Sequence, residues 1–166
     1  MAALTEALDA RRVEFGLTWR ELAIQETERP GRRSERRIAA STFKSTGQRH
    51  SVRDTVVLQA LRWLRRTPES FVPGLPQSIA RPVPDDDTGR PALDTQAIYR
   101  AVDDRRAVQG LTWDQVADEL GRGFNPAMLK RLDYVTHIGF PRVVTIFQWL
   151  QRPTADFIRF IPDSDE

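Results

Sequence analysis

The chain contains no cysteine, which excludes disulfides and thiolate metal sites. Histidine is nearly as scarce: His50 and His137 are the only two, too few for a His-rich centre, so neither a metal nor a cofactor is expected. No run of eighteen apolar residues occurs, so no membrane-spanning helix is expected. The first residues lack the basic-then-apolar layout of a secretory signal. The expected setting is therefore cytoplasmic, with no membrane partner. Only Lys44 and Lys130 among the 25 basic residues are lysine. With no cysteine and two tyrosines, almost nothing titrates between histidine and arginine, so a net charge of only +2 still carries the isoelectric point to about 9.5.

What is present is a repeat. Gly16-Leu17-Thr18-Trp19 returns as Gly110-Leu111-Thr112-Trp113, and aligning residues 4–23 with 98–117 gives nine identities in twenty. These include Ala7/Ala101, Asp9/Asp103, Arg11/Arg105, Arg12/Arg106 and Ala23/Ala117. A second block matches at an offset of 86 rather than 94: Lys44/Lys130, Val57/Val143, Trp63/Trp149, Leu64/Leu150, Arg66/Arg152 and Phe71/Phe157. The first copy therefore carries eight extra residues between Ala23 and Lys44. The copies also differ in charge: residues 1–80 hold 14 basic and 9 acidic side chains (+5), residues 81–166 hold 11 and 14 (−3).

Each copy reads as about five helices. Apolar residues at helical spacing over 4–15 stop at Gly16, and the same pattern runs from Ile98 to Gly110. Thr18 with Glu21, and Thr112 with Gln115, have the spacing of a capping box opening a second helix. In the second copy a turn at Gly121-Arg122-Gly123-Phe124 leads to Asn125 as N-cap and Pro126 as first residue of a third helix, to about Leu132. In the first copy Pro30-Gly31 marks the turn, Ser34 is the candidate N-cap, and a longer third helix is expected over about Glu35 to Thr46. Fourth helices start at Asp54, as N-cap, and at Pro141. Short fifth helices are expected over Pro68–Val72 and Thr154–Phe160. Between the copies, Pro73 to Ala92 holds five prolines and Asp85-Asp86-Asp87, which predicts a semi-rigid spacer. The expected organisation is residues 1–72, a linker over 73–92, and residues 93–162.

A helix, Gly-Leu-Thr-Trp, a helix with a central alanine, a turn, a third helix and a fourth ending in Trp-Leu: this succession resembles the phage-repressor, Cro-type (XRE-like) helix-turn-helix family. The resemblance covers about residues 4–72 and 94–160. It implies an all-α protein of two tandem lambda-repressor-like domains, in which the second and third helices form the helix-turn-helix and the third enters the major groove of double-stranded DNA. Ala23 and Ala117 would let those helices pack closely. A phosphate contact from Thr18 or Thr112 is a further implication.

The candidate DNA-binding residues are Arg32, Arg33, Arg36, Arg37, Ser41, Lys44, Arg49 and Arg53 in the first copy, and Asn125, Lys130, Arg131 and Arg142 in the second. Arginine suits both phosphate neutralisation and bidentate contact with guanine. Trp19, Trp63, Trp113 and Trp149 fall at core spacing and read as packing residues. Two linked copies can act as a pseudo-dimer on an asymmetric site, which describes a transcriptional regulator, most naturally a repressor. The alternative is that only the first copy binds DNA, while the second, whose Asp114, Asp118, Glu119 and Asp133 would repel phosphate, contacts a protein, as in an antitoxin-like or phage-encoded regulator. Lys130 and Arg131 discriminate: exposed and unpaired they can meet DNA, paired with Asp133 or Glu119 they do not. No carboxylate cluster on a strand, histidine pair or nucleophile motif points to an enzyme, and no catalytic residue is expected.

Overall fold

The repeated Gly-Leu-Thr-Trp occupies the same joint in both halves of the computed structural model, which describes residues 2–27, 40–44, 53–71, 81–84, 89–135 and 138–162. Helix α1 (Ala2–Glu14) ends at Gly16 with φ +64°, and α5 (Thr95–Val108) at Gly110 with φ +65°. Both turns need this left-handed backbone, which glycine adopts without steric cost. In each, the leucine N–H then reaches back to an arginine carbonyl at 2.9 Å, Leu17 to Arg12 and Leu111 to Arg106.

Those arginines close the joint with their side chains as well. Arg12 donates to the Leu17 carbonyl at 2.6 Å and to Asp9, and lies 5.0 Å from the Trp19 ring centroid. Arg106 donates to the Leu111 carbonyl at 2.9 Å and to Asp103 at 2.8 Å, again 5.0 Å from Trp113. The recurrent Asp, Arg, Leu and Trp are thus one device, a clamp between consecutive helices. Helices α2 (Trp19–Thr27) and α6 (Trp113–Leu120) then open on the two expected capping boxes, in which threonine Oγ1 accepts from the N–H three residues on while Glu21 or Gln115 accepts from the threonine N–H.

The third helices are α3 (Ala40–Lys44) and α7 (Pro126–Lys130), the latter continued by a 3₁₀ turn over Arg131–Asp133. Asn125 caps α7 by accepting from Met128 N–H at 2.8 Å. α3 lies inside the longer helix expected over 35–46; the rest of that range, with Pro30, Gly31 and Ser34, is outside the described residues. The fourth helices are α4 (Asp54–Leu64) and α8 (Phe140–Leu150). Asp54 is the first helical residue, not the N-cap that its type suggests, because its carboxylate is engaged elsewhere; Arg53 holds the cap position without a side-chain bond. Likewise α8 begins one residue before Pro141. After each fourth helix comes a non-glycine residue in left-handed backbone, Arg65 (φ 53°) and Gln151 (φ 54°), again 86 positions apart.

Matching side chains fill matching places. Leu8 and Val102, Leu22 and Val116, Phe43 and Leu129, and Leu61 and Phe147 are all fully buried. Each is worth about 1.5–3 kcal/mol of burial. Trp19 and Trp113 are both half-buried against the core. Phe71 and Phe157 diverge: Phe157 is buried, stacked on Phe147 at 5.0 Å, whereas Phe71 is half-buried beneath Arg66 at 4.3 Å.

The all-α expectation needs correction. The last short helix stops at Phe157, and Ile158–Ile161 is a strand, β2, antiparallel to β1 (Arg90–Leu93), with Leu93 opposite Ile158 and Arg90 opposite Ile161. The β-branched and aromatic Ile-Arg-Phe-Ile favours extended backbone over helix. The last residues of the expected spacer are therefore built into the fold. Gly89 is required beside them, since a Cβ there would stand 2.2 Å from the Ile161 carbonyl oxygen. Strand β1 packs on α4 of the first half while pairing with β2 of the second. Within the same stretch Val83 is buried, and Arg81 lies 3.7 Å from Asp156. The buried apolar residues of both halves form one continuous cluster.

Candidate nucleic-acid interface

Helix α7 divides its residues by face. Leu129 and the following Leu132 point into the core, which obliges Ala127, Lys130 and Arg131 to face solvent, with Met128 half-buried between. Thr95 holds the end of this segment by donating to the Val135 carbonyl at 2.6 Å. Between α7 and the start of α8 lies a groove of about 390 Å³. Its buried side is Leu132, Ile138 and part of Met128; its exposed side is Asn125, Arg131 and Arg142. No acidic residue lines it.

Three of the four residues singled out in the second copy thus meet at one groove, while Lys130 stands exposed outside its lining. Among the described residues, neither Lys130 nor Arg131 makes a side-chain hydrogen bond or an ion pair. Glu119, a feared partner, accepts instead from Trp149 Nε1 at 2.7 Å, on the ring over which Arg105 lies at 4.8 Å. Asp114, Asp118 and Asp133 are exposed and line no part of the groove.

In the first copy, Ser41 and Lys44 are exposed on α3 while Phe43 anchors the helix below. Arg53 is exposed at the start of α4. Arg32, Arg33, Arg36, Arg37 and Arg49 lie outside the described residues, as do His50 and His137. Thr18 and Thr112 serve as caps. The caps differ electrostatically: the bond from the Thr18 backbone, then that from its hydroxyl, hold the Glu21 carboxyl below its usual range against a smaller desolvation effect. The box position of α2 is therefore charged where that of α6 is the neutral Gln115, α6 carrying its first-turn acid one residue earlier at Asp114. Tyr134, unnoticed in the sequence, is 69% exposed immediately after the 3₁₀ turn that extends α7. An aromatic residue three positions beyond an exposed arginine was the available signal.

One contact joins equivalent positions of the two halves. Arg53 and Gly139 form an isolated antiparallel bridge, and they are equivalent positions at the offset of 86. An antiparallel bridge has a local two-fold axis between its residues, so where it joins equivalent residues the two copies meet about a local pseudo-dyad. Gly139 also lines the groove, which therefore opens beside the dyad.

The chain matches no family model, no curated protein and no solved structure. Its site stands on geometry alone. Among the described residues no helix is long and apolar enough to cross a membrane, and no three metal-ligating side chains are grouped to hold an ion.

Proposed function

We propose that the chain is a sequence-specific reader of double-stranded DNA, built as a tandem pair of phage-repressor-like helix-turn-helix modules and acting in transcriptional regulation. The observation that carries this is the Arg53–Gly139 bridge between equivalent positions. Dimeric helix-turn-helix proteins place two third helices symmetrically about a dyad, with half-sites about one helical turn apart. Here each third helix ends nine residues before the dyad, Lys44 before Arg53 and Lys130 before Gly139. One chain thus supplies both heads and the axis between them.

The groove at α7 supports the same function. Arg131 and Arg142 offer guanidiniums suited to phosphate or guanine edges, Asn125 offers an amide, and Met128 with Ala127 offers apolar contact to a thymine methyl. Lys130 and Arg131, exposed and without a side-chain partner among the described residues, weigh against a second half devoted to protein contact alone. Selection of bound sequences from a random duplex pool with the full chain tests this. The expected motif has two unlike halves with centres about 10 base pairs apart. Enrichment of no motif would overturn the proposal.

A further inference from the structure

Two buried carboxylates cross from the first half to the second. Asp54, at the start of α4, accepts from Leu93 N–H at 3.0 Å. Glu69, in the 3₁₀ turn Pro68–Phe71, accepts from Thr154 N–H at 2.7 Å. Both side chains are fully buried. Leu93 N–H lies on the edge of β1 that β2 leaves uncovered, so Asp54 closes that edge. Thr154 N–H opens the last 3₁₀ turn of the second half, and Glu69 caps it.

Neither acid belongs to the repeated fold. The position equivalent to Asp54 is Phe140, buried in the core, and the one equivalent to Glu69 is Ala155. The residue equivalent to Thr154 is Pro68, which has no N–H to satisfy. A half therefore builds its helices without such an acid, yet burying a carboxylate is costly unless bonds compensate it. What the two acids add is a fixed pose between the halves. Asp54 stands next to the Arg53–Gly139 bridge at the start of α4 and Glu69 beyond its end, so the halves are tied at both ends of that helix, which opposes sliding and swivel on top of the packing of β1 against it.

We infer that Asp54 and Glu69 are positioning residues that set the separation and twist of the two third helices, and with them the half-site spacing the chain accepts on DNA. This rests on the two-headed DNA reading above. Neither acid need touch DNA; each acts through the backbone it holds.

The test uses the full chain and a set of duplexes carrying the selected half-sites with one or two base pairs inserted or removed between them. Each inserted pair turns one half-site by roughly a tenth of a helical turn. The wild type is expected to bind one spacing sharply. In the Asp54→Ala/Glu69→Ala pair, the preference for that spacing over its neighbours should fall by about tenfold, the scale of one mismatched base pair. The Asp54→Asn/Glu69→Gln pair keeps an acceptor oxygen at each point and should keep the sharp profile. If the alanine pair does not melt cooperatively, Glu69→Ala alone carries the same readout. A folded alanine variant with the wild-type profile would overturn the inference and leave the DNA reading standing. A wild type indifferent to spacing would instead overturn the two-headed reading itself.

Discussion

Replacing Arg106 by methionine keeps most of the side chain's volume and removes three interactions at one joint. The largest is the bond to the Leu111 carbonyl at 2.9 Å, half-buried and charge-assisted, of a kind worth about 1.5–3 kcal/mol. The ion pair with Asp103 joins side chains 25% and 39% exposed, so solvent screening leaves it about 0.2–1 kcal/mol. The guanidinium over Trp113 adds about 0.5–1 kcal/mol. Because the three share one group and are not additive, the expected loss is about 2–3 kcal/mol. Urea unfolding of the full chain measures it as a lower midpoint at unchanged slope. Arg12→Met should cost a similar amount, since its clamp has the same members at nearly the same distances. If the identities between halves reflect this clamp, both variants weaken the fold while the bound DNA motif stays the same. A loss below about 0.5 kcal/mol for either variant, or a changed motif in folded protein, would refute the clamp as the reason these residues recur.

Two further outcomes are expected. Arg65→Gly and Gln151→Gly each relieve a left-handed non-glycine cap and should raise stability by up to about 1 kcal/mol in the same urea assay; a fall in either would show that the side chain contributes more than the backbone strain costs. The Glu21 carboxyl is held below its usual range in the fold, so its stabilising contribution is present above the unfolded value of about 4.3 and lost as pH falls through the folded one; the gap in urea midpoint between wild type and Glu21→Gln should shrink over that window, and a constant gap from pH 6 to 3 would refute the linkage.

What was legible in the sequence is what depends on near neighbours. Thr18 and Glu21, Thr112 and Gln115, and Asn125 with Pro126 announce their helix starts through bonds spanning three residues. The core pairs follow from helical spacing and the repeat. The sheet was hidden because Ala92 and Leu93 find Arg159 and Ile158 across most of the second half, inside a stretch whose prolines argue against regular structure. Pro91 is tolerated on a two-stranded ladder, where every strand is an edge. Asp54 and Glu69 were hidden for the same reason. The groups they reach across the halves lie 39 and 85 positions away and are backbone N–H groups, which leave no residue type to recognise. Of the candidate site, the face of α7 was legible from periodicity, but the meeting of Arg142 with Arg131 depends on how α8 starts beside it.

The pattern of likeness and difference between the copies bears on the proposed DNA reading. The shared residues are spent on the clamp, the turn and the core: Asp9/Asp103, Arg12/Arg106, the glycines, Ala23/Ala117. Shared identity therefore says how a half folds and little about what it touches. On the third helices the outward positions differ, Ser41 against Ala127 and Thr42 against Met128, while the anchors Phe43 and Leu129 and the cations Lys44 and Lys130 keep their character. A hydroxyl can serve donors or acceptors on a base edge, whereas alanine and methionine offer only apolar contact, best matched by a thymine methyl. On the proposed reading, the local pseudo-dyad at Arg53 and Gly139 relates the two third helices. Their side chains are unequal in chemistry, so a DNA site read as proposed would be two-fold in spacing and asymmetric in sequence.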